Sequence, residues 1–282
     1  MSKKRSTLAG KLWNAIVWIA SGIFHLFYLF TKFLLKILGL LLGKIYSAGK
    51  QGVTKTNRPH SKPTYQSLVL QKQLAGNLLE FEDKLLSSKS TIGLILGARG
   101  SGKSALGMRI LENISAKSKR KVCAMGFEEN TLPDWIRFVN NIEEIPNGYV
   151  VLVDEGGILF SSRSSQSSAN KILSSLLLVA RHKDISVLFI SQNSANLEIN
   201  TIRQADYLLL RKPSLLQKEF ERKKIGQIYD EVCTQFAELA DKGLYSTYIY
   251  SDEFRGFVTN ELPSFWNQKT SKSFAKLKLN SK

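Results

Sequence analysis

The chain has 282 residues, 43% of them hydrophobic, which allows one full-sized core with an appendage and excludes two large domains. Its formal charge of +17 is unevenly placed: residues 1–79 carry twelve Lys or Arg and no acid, the first being Glu80, so the amino-terminal section suits an anionic partner such as phospholipid headgroups or nucleic acid phosphates. The two cysteines, Cys123 and Cys233, stand in no CxxC or Cys/His cluster, which excludes a disulfide framework and a zinc site and assigns the main domain to the cytosol.

Residues 12–31, LWNAIVWIASGIFHLFYLFT, hold no formally charged side chain and match a hydrocarbon core of about 30 Å as a helix. They form a transmembrane candidate. A second apolar stretch from Phe33 to Tyr46 carries Lys36 and Lys44, whose stems snorkel to headgroups, and reads as interfacial. Trp13, Trp18, Tyr28 and Tyr46 are spaced as interface anchors, and His25 reads as a neutral packed residue. A secretory signal, an amphipathic hairpin lying in the interface and a buried core helix remain alternatives. Lys and Arg flank the run on both sides, so charge does not orient it. Residues 47–63 read as a tether rich in Gly, Ser, Thr, Pro and basic side chains, and a basic helix is expected from about Thr64 to Leu86.

Thr91 to Leu96 is a short apolar run of strand type that leads into GARGSGKS, followed by the helical SALGMRILENI. This is the full GxxxxGK[ST] pattern in its strand–loop–helix context. Gly97, Ala98, Arg99, Gly100, Ser101, Gly102, Lys103, Ser104 and Ala105 are the expected nucleotide-binding residues. The glycines let backbone N–H groups turn toward phosphate oxygens, Lys103 reaches the terminal phosphates, and Ser104 is a ligand for Mg²⁺. Further on, YVVLV from Tyr149 to Val153 ends in Asp154 and Glu155, a Walker B pattern. Asp154 is expected to hold Mg²⁺, and Glu155 to polarise the water that attacks ATP.

A third strand-like run, Ile185 to Ile190, ends in Ser191 and Gln192, and Gln192 is a candidate sensor of the γ-phosphate. Further strands are expected at Lys121 to Met125 and Tyr207 to Leu210, with helices near 172–182 and 214–239. That alternation implies an α/β fold, a mainly parallel sheet with helices on both faces. The serine-rich run 161–170 is expected to be a loop. Leu244 to Ile249 and Phe254 to Thr259 read as a β-pair ahead of a basic tail. The expected organisation is a membrane-associated segment at 1–46, the linker at 47–63, a P-loop domain at 64–262 and the tail at 263–282.

Over roughly residues 90–225 this pattern resembles the FtsK and HerA class of DNA-translocating ATPases, within it the Zot-like (zonula occludens toxin-like) phage assembly ATPases and the genome-packaging ATPases of membrane-containing viruses. The resemblance rests on GARGSGKS, YVVLVDEGG, ARHKDISVLFISQ and IRQADYLLLRKPS. It implies a RecA/FtsK-like P-loop fold, catalysis by Glu155 with Lys103, sensing by Gln192, and an arginine contributed by a neighbouring subunit, for which Arg163, Arg181 and Arg203 are the candidates. The implied protein is an ATP- and Mg²⁺-dependent homo-oligomeric ring, expected as a hexamer, which moves or packages DNA at a membrane and meets virion or portal proteins. A membrane-anchored ATPase that drives protein secretion or filament extrusion, and a nucleotide-dependent switch with little hydrolysis, are the rival readings.

Overall fold

The computed structural model describes residues 13, 18, 21–39, 58–162, 166–241 and 245–267, and the chain forms two compact units, residues 1–57 and 58–282. In the first unit, helix α1 (Ser21–Gly39) is long and apolar enough to cross a membrane by length and composition. Two of its hydroxyls are turned onto the helix backbone: Ser21 Oγ donates to Trp18 O at 2.8 Å and Thr31 Oγ1 to Tyr28 O at 2.9 Å. The division expected at Lys32 is not there. One helix runs through Lys32 and Lys36 to Gly39, while residues 12, 14–17, 19 and 20 of the 12–31 candidate lie outside the described residues.

The second unit is built on a nine-stranded sheet in the order β1-β9-β8-β7-β2-β6-β5-β3-β4. Its central part is parallel: β7 (Tyr207–Arg211), β2 (Ile92–Leu96), β6 (Ser186–Ile190), β5 (Val150–Asp154), β3 (Val122–Met125) and β4 (Ile136–Phe138). Three antiparallel strands extend the β7 side, namely β8 (Thr247–Ser251), β9 (Phe254–Thr259) and β1 (Val69–Gly76).

The central strands are apolar along their whole length because both faces are covered. In β2 the side chains of Ile92, Leu94 and Leu96 enter one core layer and Ile95 the other, as the two-residue period of a strand requires. Helices α5 (Gln166–Ala180) and α8 (Lys223–Asp241) cover the first face through residues such as Leu173, Leu176, Ile228 and Val232. Helices α2 (Leu78–Ser87) and α3 (Lys103–Lys117) cover the second through Phe81, Leu106, Leu111 and Ile114. Each such fully buried side chain contributes about 1.5–3 kcal/mol. The remaining α-helices are short: α4 (Glu155–Ser162), α6 (Ile199–Arg203) and α7 (Leu215–Glu219).

Several local expectations are corrected. The helix expected over Thr64 to Leu86 is a strand followed by a shorter helix: β1 pairs antiparallel with β9 from Val69↔Thr259 to Gly76↔Phe254. Gly76 then turns with φ +71°, where a Cβ would lie 2.0 Å from the Glu253 carbonyl oxygen, and Asn77 caps α2 through Leu79 N. Pairing with a strand some 180 residues away in sequence outweighs the local helical tendency. The helix near 214–239 is two, α7 and α8, broken after Glu219. Most of the serine-rich run is helical: Ser162 closes α4 and Gln166 opens α5, while Ser164, Ser165 and the candidate Arg163 lie outside the described residues.

The chain before and after the sheet is tied to α3 by a buried polar cluster. Glu112, with no exposed surface, pairs with Arg109 at 3.0 Å and accepts from Thr64 N at 3.1 Å and Ser264 N at 3.0 Å. Arg109 donates to the carbonyls of Glu261 and Leu262. Ahead of this cluster, Arg58 donates to the carbonyls of Leu132, Pro133 and Ile136. Thus the end of the expected linker is bonded to the sheet-bearing unit. Beyond Asn267 the basic tail lies outside the described residues.

Candidate nucleotide site

The loop between β2 and α3 leaves the carboxyl end of the sheet with three glycines at positive φ: Gly97 at +144°, Gly100 at +76° and Gly102 at +86°. L side chains rarely adopt these conformations, so the glycines permit the loop to curl back over the helix start. Gly102 is also the N-cap of α3, and no side chain caps the helix. The first-turn N–H groups of α3 therefore keep their donors for an anion, in the positive field of the helix end. Deeper in α3, Gly107 allows close approach to β5: a Cβ there would lie 2.6 Å from Leu152 Cδ1. That approach sets the loop helix beside the strand bearing the acidic pair.

The ends of β2, β6 and β5 converge as the motif requires. Ser104 Oγ donates to Asp154 Oδ2 at 2.9 Å, and Asp154 Oδ1 accepts from Gly156 N at 3.0 Å. Burial pushes the Asp154 carboxyl above its ordinary range, and the Ser104 and glycine donors oppose this. Glu155 is buried, and its pKa is likewise raised by burial and, to a lesser extent, by Asp154, while donors from Ser191 and the Gln192 backbone pull the other way. Lys103 Nζ donates to Gly97 O at 2.7 Å and Ala98 O at 2.9 Å. Its pKa is brought down to about 8, chiefly by burial, with Asp154 and Glu155 opposing. The buried Lys103 cation faces two carboxylates, the buried Glu155 and the half-buried Asp154. The hydroxyl beside a carboxylate fits the hard-oxygen donor set of a magnesium ion, and the raised Asp154 carboxyl is what a bound cation would correct.

Strand β6 lies between β2 and β5, so its carboxyl end points into this site. The residue there that touches the acidic pair is Ser191, buried, whose Oγ donates to Glu155 Oε2 at 2.5 Å. The strand-end position points to Ser191 as well as to the expected Gln192. Gln192 is exposed beside the site, and its backbone carbonyl accepts from Gln217 of α7. Arg181 and Arg203 are exposed and precede β6 and β7, at the opposite end of the sheet from the loop, so neither reaches the phosphate site of its own chain. Arg211, outside the expected site residues, stands beside the loop. It ends β7, is 5% exposed, and its Nη2 would lie 3.3 Å from a Cβ on Gly102.

No protein-family model matches the chain, and no curated protein matches its sequence. Among solved structures it is similar to B204, the DNA-packaging ATPase from Sulfolobus Turreted Icosahedral Virus, at 17% identity and a TM-score of 0.41, covering 62% of this chain and 99% of that one. It is also similar to the genome packaging NTPase B204 from Sulfolobus turreted icosahedral virus 2 in complex with ATP-gammaS, at 13% identity and a TM-score of 0.35, covering 61% and 98%. The AMPPCP complex of that protein gives 15% identity and a TM-score of 0.37, with the same coverage.

Proposed function

We propose that the chain is an ATP hydrolase that works as a membrane-associated ring motor and translocates or packages DNA. The observation that carries the hydrolase reading is the contact of Ser104 with Asp154 at 2.9 Å, with the buried Glu155 next in sequence and the buried Lys103 opposite. The glycine loop and the uncapped start of α3 bind the phosphates, and Lys103 leaves the Gly97 and Ala98 carbonyls for the terminal phosphate oxygens. Ser104 and Asp154 would hold Mg²⁺, which when bound neutralises charge on the phosphates. Glu155, oriented by Ser191, takes the proton from the attacking water.

The ring reading gives Arg181 and Arg203 a role. Arg181 and Arg203 lie at the far end of the sheet, so an arginine of this pair that meets phosphate does so in a neighbouring copy. The acid-free, basic residues 1–79 and the apolar α1 support the membrane, and the same positive charge suits a DNA backbone.

Phosphate release by the full chain, measured with no DNA, with single-stranded DNA and with double-stranded DNA, tests this reading. Hydrolysis is expected to need Mg²⁺, to rise with DNA and to be lost in Glu155→Gln while nucleotide remains bound. A rate indifferent to both forms of DNA overturns translocation. Turnover that survives Glu155→Gln overturns the hydrolase.

A further inference from the structure

The break between α7 and α8 is tied to the strand end that serves the acidic pair. In an unbroken helix the N–H of Arg222 would bond to the carbonyl four residues back, at Lys218. Here Glu221 N donates to Lys218 O at 3.4 Å, and Arg222 N donates to Ser194 Oγ at 3.0 Å. The turn so formed grips Ser194, which has no exposed surface. Ser194 N donates to Glu221 Oε2 at 2.8 Å, Ser194 Oγ donates to the same oxygen, and Arg222 Nε donates to Ser194 O at 3.0 Å. The other carboxylate oxygen, Glu221 Oε1, accepts from Gln217 Nε2 at 2.8 Å, and the same amide donates to the carbonyl of Gln192.

One peptide unit joins this grip to Ser191. The N–H of Ser194 and the carbonyl of Asn193 lie on opposite sides of a single planar trans peptide. Glu221 fixes the N–H side. On the carbonyl side, Asn193 O lies 3.0 Å from Ser191 Oγ, and Asn193 N donates to that hydroxyl oxygen at 3.3 Å. The Ser191 hydroxyl has one proton and two acceptors in reach, this carbonyl and Glu155 Oε2 at 2.5 Å. The position of the carbonyl decides between them. With the peptide held, the shorter contact to Glu155 takes the proton; a released peptide is free to draw the hydroxyl away from the carboxylate.

We infer that Glu221 is a positioning residue for the proposed general base: it locks the Asn193–Ser194 peptide so that the Ser191 hydroxyl stays committed to Glu155. This rests on the hydrolase reading and adds to it a residue of the α7–α8 junction.

Turnover and ATP affinity of the full chain test it, read at one pH where Ser191→Ala is slowed by ~10-fold or more. Glu221→Ala is expected to lower turnover by about 5- to 10-fold while ATP affinity stays within about 2-fold, since the phosphate loop is untouched. Glu221→Gln keeps an oxygen for Ser194 N and is expected to recover most of the rate. Adding Glu221→Ala to Ser191→Ala is expected to cost nothing further, because both act through one hydroxyl. Glu221→Asp, which draws the carboxylate back from Ser194 by one methylene, carries the same test where the alanine chain does not fold. Losses that multiply in the double variant overturn the proposal. So do ATP affinity that falls in step with turnover, an amide variant no faster than the alanine, and a Ser191→Ala protein slowed at no pH. Glu155→Gln separates the two readings. If it abolishes turnover while Glu221→Ala keeps the full rate, only the positioning role fails; if turnover survives it, the hydrolase reading fails and the positioning role with it.

Discussion

Replacing Ser191 by Ala removes one oxygen atom from the candidate site and tests how Glu155 is made ready. The Ser191 hydroxyl donates to Glu155 Oε2 at 2.5 Å, with both residues buried, and its partner is a carboxylate that burial already biases toward the protonated form. A hydrogen bond to a charged group contributes about 1.5–3 kcal/mol, and here it favours the ionised form alone. Its loss lowers the ratio of ionised to protonated Glu155 by about 10- to 100-fold at a given pH. Because the base must be ionised to accept a proton, the acid limb of the hydrolysis profile moves to higher pH, and turnover at the low-pH side falls by a similar factor. The plateau at high pH changes little, since the Gln192 backbone and Lys103 still favour the carboxylate. Phosphate release measured across pH for both proteins, with nucleotide affinity as the control, reads this directly. Faster hydrolysis with an unmoved acid limb would refute the reasoning, because Ser191 would then be restraining Glu155 rather than preparing it.

Glu155→Gln is expected to abolish turnover and to raise the melting temperature of the nucleotide-free protein at neutral pH. The folded-state pKa of Glu155 is raised, so the unfolded chain loses its proton first as pH rises, and stability falls from the ordinary carboxylate range up to the folded pKa. An amide has no such loss, and a destabilised variant at pH 7 contradicts the sign. Glu112→Leu leaves Arg109 buried and unpaired, at a cost of about 3–5 kcal/mol, which lowers the melting temperature by about 6–20 °C. Adding Arg109→Met is expected to recover part of the loss, and a double variant no more stable than Glu112→Leu rules out the pair as the cause. Residues 58–282, cut just before the Arg58 contacts, are expected to bind nucleotide and stay behind when the full chain floats with anionic liposomes. Flotation of that fragment would place the membrane contact elsewhere.

The parts of the chain legible in sequence are those whose signal is local. GARGSGKS between an apolar strand and a helix, and Asp154 and Glu155 at the end of another, are fixed by short spacings, and the structure joins them through Ser104 and Asp154. The fully buried central strands announce themselves as apolar runs because both faces are covered. Tertiary structure decided what depends on neighbours far apart in the chain. Val69–Gly76 is a strand because β9 offers it an edge, and its own residues do not say so. The order β7-β2-β6-β5 brings Ser191 onto Glu155 and sets Arg211 beside the glycine loop. Sequence determined which residues can hold phosphate; only the lateral order of strands, set by long-range backbone pairing, decided which side chains stand beside them.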